Sequence, residues 1–546
     1  MHVPVNKRTS SLRDVVAGIS VAGLMLPEAV AYAGIAGLAP GRAILAAIVG
    51  SAVYAIAGQS RFAIVAPTSS SAAILAAALA TLSGTAIDKS LLATAITGVV
   101  GAAFLLMALL RLGGVAAFIS RPVLRGFAFG LAVTIIARQM PTLLGLEIHT
   151  PSFAALVVSL VTHIGQTNLF TLAIGGIALA SLLLLRRYTK LPGSLFVLLA
   201  GIALASLVDL PRHGVALVGP ITLVAARPTL PDYGPAEWSR IVQLTLPLML
   251  ILFAESWGTM RALALRTGDT LSGNHELAAL GGANILAALA QGMPVGAGFS
   301  AGSASEAAGA TTRLTCLVAS LGLAAMILLA APAVARIPEP VLAAVVIAAL
   351  THALTPGPII RLFRIDRDQW IALAAALGVI AFGVLDGMLL AVALSVGALL
   401  HRLAAPKLSE LGRMPGSHDF VDMTQHADAV AVNGVAIFRP NAPLFFANAD
   451  SIVAQVAAES TQRPASIAIV LSLEESDDLD SSAVEALAEL TKTLAAQSKT
   501  LHLARVHDRS RAVLNAAGMN QLADLAGFSV ADAVAGVNKR KGKPHA

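Results

Sequence analysis

Two short stretches of small, hydroxylated residues break otherwise apolar runs of this chain. They are Ala66-Pro67-Thr68-Ser69-Ser70-Ser71 and residues 294–312, which include Phe299-Ser300-Ala301-Gly302-Ser303. Irregular backbone is costly in hydrocarbon unless it is buried in protein or lines a watery cavity. Two interrupted segments in corresponding halves of a chain are the pattern of a secondary transporter. If residues 68–83 and 300–312 are half-helices meeting near the membrane midplane, each directs backbone N–H groups and a dipole end of about +0.5 charge into one space. That space suits a small anion. Thr68, Ser69, Ser70, Phe299, Ser300, Ala301, Gly302 and Ser303 would line it, the serine hydroxyls adding donors. The competing reading is that Ser, Ala and Gly serve only close helix packing, as small residues do in membranes.

Two glutamates lie inside apolar runs: Glu28 in Leu26-Pro27-Glu28-Ala29-Val30-Ala31-Tyr32-Ala33, and Glu255 in Phe253-Ala254-Glu255-Ser256-Trp257-Gly258-Thr259. An ionised carboxylate is expensive there, so such residues serve function by default. Each can exchange a proton or balance a bound cation. Glu255 and Thr259, at i and i+4, direct two oxygens toward one point and form a candidate Na⁺ site. Glu28 joins the substrate-binding set. The alternative for each acid is a hydrogen bond to a neighbouring helix. Arg138 and Glu306 are ambiguous, and either can be a structural partner.

These groups need a membrane scaffold, and the composition supplies one. Of 546 residues, 56% are hydrophobic and only 12% charged, and the mean hydropathy is +0.79. That places the chain among integral membrane proteins. Apolar spans fall near 14–33, 43–58, 68–83, 90–110, 122–140, 168–186, 193–209, 243–262, 276–291, 300–312, 314–335, 339–354, 369–384 and 386–401, about fourteen segments. The third and tenth are half-helix length. The first resembles a signal peptide only superficially and is read as a membrane helix.

Arg61, Arg111, Arg121, the run from Arg186 to Lys190, Arg261, Arg266, Arg313, Arg361, Arg364 and Arg367 all fall in connections after even-numbered spans. The positive-inside rule then places those loops, both termini and the C-terminal domain in the cytoplasm, with the protein in the cell (inner) membrane. Glu28 with Glu255, Ser69 with Ser300, and Pro122-Val123-Leu124 with Pro340-Val341-Leu342 recur at offsets of roughly 220–230 residues. Seven spans separate the partners, and an odd number inverts the second copy. The expected architecture is therefore a 7+7 inverted repeat. Residues 1–404 form the membrane domain, with repeats at about 12–210 and 240–404; a linker follows at 405–418, an α/β domain at 419–537, and a basic disordered tail at 538–546 able to touch anionic lipid.

Other classes of function fall away. The net charge of +6 reflects loop arginines, and no aromatics alternate with basic residues, so nucleic acid is not a partner. Cys316 is the single cysteine and lies in an apolar helix, removing disulfides and thiolate metal sites. There is no metal cluster, phosphate loop or nucleophile–base set, so neither a cofactor nor an enzyme is expected. Asp88, Glu147, His149, His163, Asp209, His213 and Asp232 read as solvated loop residues, and His352 as an interfacial one.

From about Asp419 the chain reads strand, strand, helix, strand, helix, strand, helix, with an apolar run at 431–438, a segment at 445–457, strands at 466–473 and 500–506, a helix from Ser481 to about Gln497 and a short helix ending near Gly518. Asp480-Ser481-Ser482 is an N-cap pattern, with Glu485 placed to close a capping box. Ser481 at that helix start is also a candidate regulatory site, because added negative charge is tolerated there.

Taken in order, these motifs resemble the SulP family of anion transporters over nearly the whole chain. Pro27-Glu28-Ala29-Val30-Ala31-Tyr32-Ala33 is similar to the family's first-helix motif, and Gly58-Gln59-Ser60-Arg61 followed by Ala66-Pro67 to the approach to its third helix. Phe127–Gly130 with Gln139-Met140-Pro141 and Leu143-Leu144-Gly145 resembles the fifth helix and its exit. Asn274-His275-Glu276-Leu277, Leu280-Gly281 and Ala283-Asn284 resemble the ninth, and Phe299-Ser300 the start of the tenth. Ile437-Phe438-Arg439-Pro440, Phe445-Phe446-Ala447-Asn448-Ala449 and Asp480-Ser481-Ser482 resemble a STAS domain.

The resemblance implies a mobile core and a gate that usually dimerises, with an anion held between the third and tenth helices and carried by an elevator-like motion. It implies sulfate, bicarbonate, chloride or dicarboxylate as substrate, coupled to H⁺ or Na⁺ or exchanged. It assigns coupling to Glu255 and Thr259, and it leaves open a regulatory protein at the STAS domain. The chain departs from the family in two places. Ser300-Ala301-Gly302 lacks the arginine many members carry, which weakens the case for a doubly charged anion. Pro40-Gly41-Arg42-Ala43-Ile44 is a reduced form of a Tyr- and Gly-rich signature. Three readings stay open: a coupled transporter, an uncoupled exchanger or channel-like conductance, and a membrane-anchored anion sensor signalling through the STAS domain.

Overall fold

The structure is a computed structural model, described for residues 7–82, 88–114, 121–148, 150, 152–188, 193–221, 233–351, 354, 357–365, 369–404 and 407–541. His149, Asp232, His352, Lys190 and Arg367 lie outside the described residues. The chain divides into two units, Met1–Ser395 and Val396–Ala546.

The first unit is helical. Its first half runs α1 (Lys7–Ala36), α2 (Pro40–Ala57), β1 (Val65–Ala66), α3 (Ser69–Leu82), α4 (Lys89–Leu109), α5 (Arg121–Leu144), α6 (Phe153–His163), α7 (Leu169–Tyr188) and α8 (Gly193–Leu207). The second half repeats that order: α9 (Pro235–Thr267), α10 (Gly273–Leu289), β2 (Gly296–Ala297), α11 (Phe299–Ala307), α12 (Leu314–Val334), α13 (Glu339–Leu350), α14 (Gly357–Ile365), α15 (Gln369–Phe382) and α16 (Val384–Ala404), which runs on past Ser395 into the second unit. Pro122 and Pro340 each stand at the second residue of their helices, α5 and α13, where a missing N–H costs nothing.

α6 and α14 fall outside the expected spans. Eleven and nine residues long, they are too short to register as crossings. α6 is capped by Ser152, which accepts from Ala155 N at 3.2 Å. Among the described residues six helices are individually long and apolar enough to cross a membrane, or seven if the bent pair α6–α7 counts as one.

Packing groups most of the first unit into two bodies, which meet where α1 touches α8 and α13. α1–α4 pack with α9–α12, α1 against α12 and α4 against α9 and α10, whereas α5–α8 pack with α13–α15. In the second body α5 lies almost in backbone contact with α15. A Cβ on Gly126 would sit 2.0 Å from Ala372 O, and one on Gly130 would sit 2.5 Å from Ala376 O. Small residues permit that approach, as in other membrane helix pairs.

The second unit is a five-stranded sheet in the order β4-β3-β5-β6-β7: β3 (Leu408–Arg413), β4 (Phe420–Asp422), β5 (Val435–Pro440), β6 (Ala468–Ser472) and β7 (Thr500–Ala504). β5, β6 and β7 are parallel, and β3 is antiparallel to both β4 and β5. Ala436, Phe438, Ile469 and Leu471 point to one apolar core and Val435, Ile437, Ala468 and Val470 to the other, the two-residue period of a strand buried on both faces. The first core packs with α17 (Ala449–Thr461) and α18 (Ser481–Ala496); α19 (Asp508–Ala516) and α20 (Asn520–Asp524) follow, and α21 (Val530–Lys541) covers the second core.

Three sequence expectations need correction here. The segment 405–418 is not simply a linker, because residues 408–413 form strand β3, whose neighbours lie on both sides. The basic tail is helical through Lys541, since α21 continues into it. Glu485 closes no capping box, because Ser481 is the first helical residue and Ala483 the third. Asp480 alone caps, accepting from Ala483 N at 2.8 Å and, through its other oxygen, from Phe446 N at 2.7 Å.

Ionic contacts pin β3 and its hairpin. Arg463 donates two hydrogen bonds to Glu410, at 2.9 and 2.6 Å, and one to Glu459 at 2.5 Å. These carboxylates, Glu410 foremost, hold its guanidinium above the ordinary arginine value. Hydrogen bonds from Ser409 and then Thr424 hold the Asp422 carboxyl below the usual carboxylate range.

Candidate functional site

The two half-helices of the sequence are α3 and α11, and they are tied end to end. β1 and β2, two residues each, pair antiparallel with Val65 opposite Ala297 and Ala66 opposite Gly296. The pairing is buttressed from both repeats. Ser51 Oγ in α2 donates to Val65 O at 2.9 Å, and the Asn284 side chain in α10 bonds Val295 N and O at 3.0 and 2.9 Å. Ser256 Oγ in α9 accepts from Ala297 N at 2.9 Å.

The helix starts differ. Thr68 and Ser71 cap α3 reciprocally: Thr68 Oγ1 accepts from Ser71 N at 3.1 Å and Ser71 Oγ accepts from Thr68 N at 3.0 Å. This is a capping box with serine in the reaching position. Gly298, before α11, has no side chain to cap with.

Both acids meet these helices, each across the repeat boundary. Ser300 Oγ in α11 donates to Glu28 Oε1 in α1 at 2.9 Å, and Glu28 is 7% exposed. Ser70 Oγ in α3 donates to Glu255 Oε2 in α9. Thr68 Oγ1 lies 2.9 Å from Ser70 Oγ and extends that chain of hydroxyls. Each serine has one hydrogen to donate, and here a carboxylate receives it.

Around these pairs lies a cavity of about 1330 Å³. Glu28, Thr68, Ser69, Ser70, Glu255, Thr259, Phe299, Ser300 and Ala301 all line it, from α1, α3, α9 and α11. The facing wall comes from the second body, chiefly Leu124, Phe127 and Leu131 of α5 and Leu350 of α13. Gly302 and Ser303 do not line the cavity. A Cβ on Gly302 would meet Leu263 at 3.1 Å and Thr259 Cγ2 at 3.3 Å, so this residue packs against α9, while Ser303 Oγ is buried without a hydrogen-bond partner among the described residues. Sequence proximity to Ser300 did not reveal which side of the helix each residue takes.

Several other polar residues make contacts between helices or lie off the cavity. Glu306 pairs with Arg266 at 2.8 Å, and Arg138 is not among the lining residues. Arg42 donates to Ser90 O at 2.9 Å and Thr94 Oγ1 at 3.2 Å, joining α2 to α4. Asp88 caps α4 through Ser90 N at 2.8 Å, and Asp209 pairs with Arg212 at 2.7 Å. Cys316 is buried, with Ser51 O at 3.2 Å from its sulfur. No group of three or more metal-ligating side chains occurs among the described residues.

Two buried carboxylates escaped the sequence reading. Asp14 in α1 accepts from the backbone and hydroxyls of Thr311 and Thr312 at 2.5–3.1 Å and from Thr315 Oγ1 at 3.1 Å, fixing the turn between α11 and α12. Glu276 in α10 accepts from Tyr54 Oη at 2.8 Å and Gln59 N at 3.0 Å. The only early signal was an acidic residue next to an apolar run.

Residues 12–376 match the Sulfate permease family and residues 426–533 match the STAS domain. A probable sulfate transporter of Mycobacterium tuberculosis (strain CDC 1551 / Oshkosh) is 33% identical over 93% of this chain and 91% of its own length. Among solved structures, the murine Solute Carrier 26 family member A9 anion transporter in the inward-facing state superposes with a TM-score of 0.88 at 18% identity, covering 97% of this chain and 91% of that one. The transmembrane domain of a cyanobacterium bicarbonate transporter, BicA, gives a TM-score of 0.62 at 18% identity over 72% and 98%. At that identity the likeness is one of fold.

Proposed function

The chain belongs to the sulfate permease family with a C-terminal STAS domain, and from that premise we propose that it is a secondary active transporter of small anions of the sulfate, bicarbonate or dicarboxylate class. It is a transporter rather than an enzyme, as its relatives are. The observation that carries the reading is the crossed pair of acid–hydroxyl bonds, Ser300 to Glu28 and Ser70 to Glu255, at the joined starts of α3 and α11.

That geometry couples anion binding to a cation by hydrogen counting. While a carboxylate holds the hydroxyl hydrogen of Ser300 or Ser70, the serine has none to give an anion. A protonated glutamic acid reverses the bond: its O–H donates to the serine oxygen, and the serine hydrogen turns to the anion. Sodium beside Glu255 and Thr259 would act similarly, neutralising the acid through the oxygen ligands it prefers, with Thr68 and Ser70 in reach of the same carboxylate. In either case the anion and cation load together. Helix-start amides and dipoles supply the remaining attraction.

The packing supports an elevator-type motion, with α1–α4 and α9–α12 as the carrier and the α5–α8 and α13–α15 body as the stationary gate and homodimer surface. The positive-inside asymmetry supports placement in the cell (inner) membrane with the N-terminus and STAS domain cytoplasmic. Ser481 is exposed at the first residue of α18, a position that tolerates phosphate or a partner's contact. The test is uptake of labelled sulfate, bicarbonate and fumarate into proteoliposomes under imposed pH and Na⁺ gradients. Saturable uptake that collapses with one gradient is expected. No saturable uptake under any gradient overturns the proposal, and flux indifferent to Glu255→Gln and to both gradients would establish an uncoupled exchanger instead.

A further inference from the structure

The cavity is electrically polarised along its length. Its deep end holds Glu28 and Glu255, and its other end holds arginines. Along α9 one face lines it continuously, through Glu255, Thr259, Ala262 and Arg266, with Arg261 beside them. At 1.5 Å per residue, Arg261 and Arg266 lie about 9 and 16 Å along the helix from Glu255. On the facing wall Arg121 and Arg125, at i and i+4, occupy the first turns of α5 and line the same cavity. Gly113, which also lines the cavity, donates its N–H to Asn274 Oδ1 at 2.7 Å at the start of α10.

Arg266 is neutralised by Glu306. Arg121, Arg125 and Arg261 are exposed, and none has an ion pair among the described residues. We infer that these three arginines form an anion-collecting collar at the mouth of the cavity, on the side that the loop-charge asymmetry makes cytoplasmic. They raise the rate at which anions enter rather than the strength with which the deep site holds them.

The reasoning is one of range. About 9 Å along α9 from Glu255, Arg261 already lies at the screening length of about 8–10 Å, so it contributes little to an anion bound at the acid end. A cleft with low-dielectric walls still focuses its field at the mouth, where it accelerates encounter by factors of about 10 to 1000, steeply dependent on salt. Two of the charges sit on α5, in the body that does not carry the site. The α5 part of the collar therefore stays at one face of the membrane when the carrier moves, and only cytoplasmic anion benefits from it. This rests on the anion-transport reading above, and the test keeps the two separable.

Ala262→Cys places a thiol in the lining between the two walls, with native Cys316 buried and unreactive. Its conversion to a mixed disulfide by an anionic methanethiosulfonate (ethylsulfonate), with release of methanesulfinate, is compared with that by a cationic one (ethyltrimethylammonium), each normalised to free cysteine. The normalised ratio should favour the anion about tenfold at low salt and fall toward about twofold at 0.5 M. Arg121→Gln, Arg125→Gln and Arg261→Gln together should bring it near unity, and the matching Lys variants, which keep charge and bulk, should restore it. A ratio near unity in the parent protein, or one unmoved by the Gln substitutions, overturns the collar. The thiol ratio decides this whether or not any tested anion is carried, whereas absent flux counts only against the transport proposal. In inside-out vesicles taking up labelled sulfate from the outer solution, which there bathes the cytoplasmic face, the Gln variants should raise KM about five- to tenfold with kcat unchanged. A fall in kcat at constant KM would refute a role confined to entry.

Discussion

Replacing Ser300 by alanine removes the one hydrogen bond to Glu28 from α11, a 2.9 Å contact to a carboxylate only 7% exposed. A hydrogen bond to a charged group contributes about 1.5–3 kcal/mol, and the acid left behind in a dry site loses the most. Glu28→Gln removes the charge but leaves an amide able to bond the same hydroxyl, so it should cost about 1 kcal/mol or less. Once residue 28 is neutral, Ser300→Ala should cost only about 1 kcal/mol more. The double-mutant cycle then closes with a coupling of about 1–2 kcal/mol, five- to thirtyfold in the unfolding constant. The four proteins would be compared by SDS-titrated unfolding in detergent with no substrate anion present. The second cycle, Ser70→Ala with Glu255→Gln, should give a coupling of like sign and size, because the pairs are related by the repeat. If the single losses add within about 0.5 kcal/mol, the bonds are not coupled and hydrogen exchange between acid, serine and anion cannot be the coupling device.

Gly126→Ala should abolish recovery of monodisperse protein, because its Cβ would lie 2.0 Å from Ala372 O, a backbone atom that cannot move aside; Gly176→Ala, with nothing within 4 Å, should be neutral in the same size-exclusion assay. Asp480→Ala removes the acceptor of two amides and should destabilise the start of α18 by about 1–2 kcal/mol, read as faster hydrogen exchange at Phe446 and Ala483. Asp422 has a folded pKa below its unfolded one, so its contribution to stability is present above the unfolded pKa, about 3.9, and is lost as pH falls through the lower folded value. Ser409→Ala, which removes the leading cause of that depression, should shrink the stability difference between pH 6 and pH 2 monitored by the unfolding of the sheet.

The elements that show in the sequence are those whose character is local. Glu28, Glu255, Ser70 and Ser300 stand out because polar groups are conspicuous in apolar runs, and the capping role of Asp480 is legible because its partner is three residues away. α6 and α14 are too short to give a membrane signal. β3, Leu408-Ser409-Glu410-Leu411-Gly412-Arg413, alternates too weakly to look like a strand, and only its neighbours on both sides make it one. Asp14 and Glu276 went unassigned because their partners lie 297 and 222 residues away, at Thr311 and Tyr54. Gly302 and Ser303 are absent from the cavity lining for a third reason: proximity along a chain does not fix rotational phase on a nine-residue helix.

The crossed bonds make the halves of the membrane unit mutually dependent. The hydroxyl that serves Glu28 belongs to the second half, and the one that serves Glu255 belongs to the first. Neither polypeptide half, expressed alone, holds a complete acid–hydroxyl pair, and the strand that steadies each half-helix start is also missing its mate. Two fragments severed between α8 and α9 should be inert apart and regain anion uptake when co-expressed. By the same logic, a single repeat would need a second copy of itself, turned end for end, to build even one binding place, whereas joining the two in one chain removes the dependence on concentration and lets the two halves differ, as the capped start of α3 and the uncapped start of α11 do.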